Sequence, residues 1–161
     1  MLLKLITTVE QQAALLETMH VFNAACNHVA QVAFETRSAN KFDMQKIVYG
    51  ALRTAYHLPA QLSIRAISKT VEAYKRDKDI QPSFRPEGAV VYDSRVMSFK
   101  GPNSVSLLTL TGRVLVPFWV GGYQQARLGA IQGQADLIYR HGKFFLAVTL
   151  DTRSFQYGRD R

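Results

Sequence analysis

The sequence predicts an α+β fold: a small antiparallel β-barrel with three helices inserted after its first strand. Two changes of period point to it. From residue 9 to about 80 apolar residues recur at steps of three and four, and after the proline- and glycine-bearing QPSFRPEG they alternate. The opening MLLKLITT reads as one more short strand, which places the helices inside the barrel's connectivity. The expected division is a first barrel strand over 1–8, a helical lobe over 9–80, the remaining strands over 81–151 and a disordered tail over 152–161.

The first helix follows from Leu15, Met19, Phe22, Cys26, Val29 and Ala33, which fall on one stripe. Thr7 or Thr8, with Glu10 or Gln11 three residues on, offers a capping box at its start. Asn27, His28 and Gln31 lie around the same helix as solvated or packing groups. In the second helix, FDMQKIVYGALRTAYH, Asp43 is expected to cap the free amides while Phe42 packs on Ile47 as a staple. The third opens at Pro59, with Ala60, Ile64, Ile67, Val71 and Tyr74 as its buried face. Its opposite face carries Gln61, Arg65, Lys69, Glu72 and Arg76. Such amides and cations can grip phosphates and read base edges; a solvated face with Lys69 or Arg65 paired to Glu72 is the alternative.

Beyond the link, GAVVYDS, RVMSFKG, SVSLLTL and RVLVPFWVGG read as short strands, with turns at Gly101-Pro102-Asn103 and Thr111-Gly112. QADLIYRHGKFFLAVTL reads as a hairpin turning at His141-Gly142. Closing these strands into a barrel removes exposed edges. Phe99, Leu108, Phe118 and Phe145 are the expected inward residues.

Apolar residues make up 47% of the 161 and charged residues 20%, an ordinary globular balance. No apolar run approaches bilayer length and the amino terminus turns polar early, so a cytoplasmic protein is expected. The single cysteine, Cys26, fits a reduced compartment and a buried apolar position. Net charge is +8 with a pI near 9.8, the balance of a polyanion binder. Ten cations and seven acids precede residue 81, and ten cations and five acids follow, so no tail carries the excess.

Catalytic patterns are missing. There is no GxxxxGK[ST] loop, GxSxG elbow or HExxH, and His20, His28, His57 and His141 are scattered. Asp77 and Asp79 sit among Lys75, Arg76 and Lys78, Asp93 reads as a turn former, and Asp136 opens a hairpin strand. Asp151, delivered by FFLAVTLD, has no partner acid and is read as a cap on the exit turn. No catalytic residue, metal ligand or cofactor is therefore expected. The positive signal is a basic sheet region: Arg85, Arg95, Lys100, Arg113, Arg127 and Arg140 interleave with Phe84, Tyr92, Phe99, Phe118, Trp119, Tyr123 and Tyr139. Small barrels with cations and aromatics suit nucleic acid.

In order, FNAACNHVAQVAFE, LPAQLSIRAISKTVEAYKRDK, FRPEGAVVYDSRVMSFKG, VSLLTLTGRVLVPF, GGYQQARL and QADLIYRHGKFFLAVTLD resemble the amino-terminal half of TnpB-type (OrfB) transposon proteins, which are similar to the smallest type V CRISPR effectors. The resemblance implies a wedge-like barrel with a three-helix recognition lobe. It implies as partners a structured guide RNA and a short motif flanking the target DNA. Gln61, Arg65 and Lys69, with Arg76 on the same face, become candidates for the flanking motif; Arg95, Lys100 and Arg113 become candidates for the RNA backbone, with Arg85 in the same basic region. The family's nuclease domain, with its GxDxG-like acid and four-cysteine ribbon, has no counterpart in TRSFQYGRDR, and the expectation is that this chain alone does not cleave DNA. Two alternatives stand beside this: a non-catalytic subunit that completes a nuclease with a separate partner, and an inert transposon remnant.

Overall fold

A 28-residue helix, α1 (Val9–Thr36), follows the first strand, β1 (Leu2–Leu5). The Thr8 hydroxyl accepts from Gln11 N and the Gln11 side chain accepts from Thr8 N, each at 3.1 Å, so the first turn is closed by the anticipated box. Every residue of the Leu15–Ala33 stripe is buried. These features come from a computed structural model, which describes residues 1–121 and 131–150. Tyr123, Arg127, Asp151 and the expected tail over 152–161 lie outside the described residues.

The second helix, α2 (Lys41–Thr54), corrects one expectation. Its cap is Asn40, whose Oδ1 accepts from Phe42 N at 2.9 Å and Asp43 N at 3.0 Å. Phe42 and Ile47 are 77% and 54% exposed, so the staple does not form. An Asx cap three residues earlier starts the helix before Phe42 and leaves that ring exposed in the first turn.

The third helix, α3 (Ala60–Arg76), begins one residue after Pro59, which is its N-cap and not its first helical residue, and its buried arc is rotated. Ala60 is exposed and Ile64 half-buried, whereas Leu62, Ser63, Ala66 and Thr70 join Ile67, Val71 and Tyr74 inside. The small residues explain the rotation. Thr70 Oγ1 reaches Cys26 O at 3.3 Å and Ala66 O at 2.8 Å, and Cys26 Sγ lies 3.8 Å from Ala66 O, so α3 packs closely on α1 through its least bulky strip.

Six further strands follow: β2 (Val90–Asp93), β3 (Met97–Phe99), β4 (Ser104–Thr109), β5 (Gly112–Trp119), β6 (Ile131–Arg140) and β7 (Lys143–Leu150). They pair with β1 in the order β2-β6-β7-β1-β5-β4-β3, antiparallel throughout. The two end strands, β2 and β3, are consecutive in the chain. Near their junction Tyr92 Oη donates to Leu108 O at 2.7 Å and Leu108 N to Val96 O at 2.9 Å, so the sheet curls into a nearly closed barrel. The fold is therefore α+β with a barrel-like sheet.

Of the four side chains expected inside the barrel, Phe118 is buried, while Phe99, Leu108 and Phe145 are half-buried. Phe144 and Leu107 take the inner places instead. Phe145 is in register with Ile138 and Lys4, which puts it on the outer row with them. Two adjacent phenylalanines give no alternation to choose between. Barrel and helices share one continuous core, in which α1 spans from Leu15 beneath the sheet to Ala33 beside α3.

Candidate nucleic-acid interface

Helical spacing sets Arg65, Ser68, Lys69, Glu72 and Arg76 along one face of α3. Together with Lys41 at the start of α2, and with Val91 and Gln134 on β2 and β6, they line a groove of about 390 Å³. Four cations line it with Glu72, while Asp93 lies against Arg65 and Asp136 acts on Lys69. Glu72 lies 3.7 Å from Lys41 and 3.9 Å from Lys75, and all three side chains are about half exposed, so these pairs contribute at most about 1 kcal/mol each. Arg76 is exposed at the end of the row.

Lys69 reaches inward. Its Nζ donates to Ala89 O and lies 5.6 Å from the Phe22 ring centroid and 5.5 Å from that of Phe84. Burial lowers its pKa, opposed by Cys26 and by Asp136 across the groove. The ammonium is thus a strut between α3 and the strand edge as well as a wall of the groove.

Three other candidates converge on Asp93, and a fourth, Arg113, braces one of them. Gln61 Nε2 donates to Asp93 Oδ2 at 2.7 Å, Arg65 Nε lies 3.4 Å from the same oxygen, and Arg95 N donates to Oδ1 at 3.0 Å. Arg95 Nη1 returns to Gln61 Oε1 at 3.3 Å, and Arg113 Nη2 donates to Arg95 O at 2.8 Å while its Nη1 reaches Ser106 Oγ at 3.2 Å. Asp93 does form the expected turn, but it is also the joint between α3 and the barrel. Arg65 therefore pairs with Asp93, and neither Arg65 nor Lys69 pairs with Glu72. Helix and barrel candidates, assigned to separate surfaces from the sequence, form one contiguous network here. Lys100 and Arg85 stand apart. Lys100 is exposed after β3, and Arg85 lines a second hollow with Ile138, Tyr139 and Arg140.

Two asparagines organise the link before β2. Asn23 is fully buried, and its Nδ2 lies 2.9 Å from Met19 O, 3.2 Å from Pro86 O and 2.9 Å from Gly88 O. Asn27, expected as a solvated or packing group, exchanges two hydrogen bonds with the Phe84 backbone, at 2.9 and 2.8 Å. A polar residue on the buried stripe of α1 was the available sign for Asn23. The Cys26 thiol is enclosed as expected, and burial pushes its pKa up to about 11, partly offset by Thr70 and Lys69.

Among the described residues no three His, Cys, Asp or Glu side chains are grouped as ligands for a metal ion, and no helix is long and apolar enough to cross a membrane. No family model matches the chain, and no curated protein matches it. The groove stands on its own chemistry: a concave, cation-rich seam able to hold successive phosphates, with one amide and one hydroxyl, Gln134 and Ser68, available beside them.

Proposed function

We propose that the chain is a cytoplasmic nucleic-acid-binding module that grips the backbone of a structured RNA. On the resemblance of its sequence, it is the guide-RNA and target-flanking-DNA recognition part of a TnpB-type protein, with a wedge-like barrel and a three-helix recognition lobe. In this reading the acids that cut DNA are supplied from outside these 161 residues, and a separate nuclease-bearing polypeptide is a further partner.

The observation that carries the reading is the groove between α3 and the β2–β6 edge. Lys41, Arg65, Lys69 and Arg76 outnumber Glu72, and Glu72 is itself engaged by lysines. Arg65 is paired with Asp93, but Arg76 forms no ion pair among the described residues, and a net-positive row of this kind attracts a polyanion and releases its counterions. Gln61, Arg95 and Arg113 serve this function by fixing the Arg65 end of the groove through Asp93; Lys100 and Arg85 extend the positive surface around the barrel.

The test is fluorescence anisotropy with a labelled RNA hairpin at rising salt. Three phosphate contacts predict a loss of roughly 40-fold between about 50 and 200 mM monovalent salt. Undetectable binding, or an affinity that stays flat over that range, overturns the reading.

A further inference from the structure

The outer face of the barrel around β1 has a composition that neither the core nor the groove explains. In antiparallel register Lys4 lies between Trp119 of β5 and Phe145 of β7. The neighbouring outer row holds Ile6, opposite Pro117 through its backbone bond of 2.8 Å, together with Lys143 and its partner Arg140. Trp119 is 64% exposed and Ile6 55%, and Phe145 is half-buried.

We propose that this face is a platform for unpaired nucleotides, with Trp119 and Phe145 as stacking surfaces and Lys4, Lys143 and Arg140 as phosphate contacts.

Strand spacing puts the two aromatic positions roughly 10 Å apart, with Lys4 on the strand between them. That is the alternation of π-face and cation on which single strands bind without regard to sequence. A flat outward ring can stack only on a base that is not already stacked in a duplex, so the surface suits loops and single-stranded ends. The cations are uncompensated. Lys143 beside it lowers the pKa of Lys4, and none of Lys4, Lys143 and Arg140 forms an ion pair among the described residues. Two adjacent ammonium groups at the centre of the face also argue against a protein partner, since interface cores are depleted in lysine. Arg140 continues the platform into the hollow it shares with Arg85 and Ile138, a concavity of about 550 Å³.

The platform rests on the reading above only for the class of ligand, and the two can fail separately. Trp119 is the sole tryptophan of the chain, so its emission reports on this face alone. Titration of the full chain with an oligouridylate of about 12 nucleotides is expected to quench that emission saturably. The Lys4→Gln/Lys143→Gln variant should weaken the quenching interaction about tenfold and flatten its salt dependence. With a 3′-labelled oligouridylate, Trp119→Phe should bind within a few-fold of the parent and Trp119→Leu about tenfold more weakly. Absence of quenching at low salt, or quenching indifferent to the lysine substitutions, overturns the platform. So does emission that changes with protein concentration through self-association and not with oligonucleotide. Salt-sensitive binding of a hairpin without any response to oligouridylate removes the platform and keeps the groove; quenching by oligouridylate without hairpin binding keeps the platform and removes the groove.

Discussion

The Nε of Arg65 lies 3.4 Å from the Asp93 carboxylate, with both side chains largely shielded, at 26% and 17% exposure. This pair, with Gln61 on the same oxygen, is where the helical layer meets the strand edge. Asp93→Asn should lower unfolding stability by about 1–2 kcal/mol in urea titrations, since a shielded Arg65 loses the carboxylate that balances its charge. A double-mutant cycle with Arg65→Gln should show coupling of about 1 kcal/mol. Strictly additive losses would mean the contact contributes nothing to the joint.

The link before β2 depends on Asn23. Replacement by Ala leaves the Pro86 and Gly88 carbonyls without their donor and should cost about 2–3 kcal/mol. Gly88→Ala tests the same joint from the other side. A Cβ there would stand 3.0 Å from Asn23 Oδ1 and 3.2 Å from Arg85 O, so a loss of about 1–2 kcal/mol is expected. Thermal denaturation of both variants decides this, and an unchanged melting temperature for Gly88→Ala would show that the link can move aside.

Alkaline pH should find Cys26. Burial raises its thiol from the ordinary 9.0 to about 11. The folded state therefore favours the protonated form, a preference fully present below about pH 9 and lost as pH climbs toward 11. The loss attributable to this group is about 3 kcal/mol at most. Lys69 works in the opposite sense, because its depressed pKa lets the folded protein gain as pH rises. Cys26→Ala should accordingly show a flatter stability profile than the parent between pH 9 and 11 in chemical denaturation. Parallel profiles would refute the assignment.

Arg76 is exposed on the groove and touches no core residue by its charge. Arg76→Ala should leave the melting temperature within about 1 °C and reduce the slope of log affinity against log salt for an RNA hairpin by about 1. An unchanged slope would take Arg76 out of the interface.

At the helix start, Thr8→Ala removes the oxygen that accepts from Gln11 N and should cost about 1 kcal/mol. Circular dichroism during urea titration reads the effect directly.

What could be seen in the sequence was set by how local the deciding physics is. The α1 stripe and its Thr8–Gln11 box depend on residues within a turn or two of one another, and both are in place. The hairpin turning at His141-Gly142 was equally legible, with both residues in the left-handed region at φ 52° and 75°. The failures needed distant information. Which of Phe144 and Phe145 enters the barrel depends on the register of β7 against β1 and β6, and the rotation of α3 depends on how closely Ala66 and Thr70 approach α1. The site shows the same division. Gln61, Arg65, Lys69 and Arg76 were visible as one helix face, but Asp93, the acid that binds two of them, lies 32 residues from Gln61 in sequence. A carboxylate at the end of a strand gave no hint of that partner.

The strand made first lies between two of the strands made last. β1 pairs with β5 and β7, and Met1 closes its end with bonds of 3.1 and 2.9 Å to Val148, at a sequence separation of 147 residues. During synthesis the three helices can dock on one another while β1 waits for partners that the ribosome has yet to supply. The barrel must therefore close late, when Val148 becomes available to Met1 and β7 to β1.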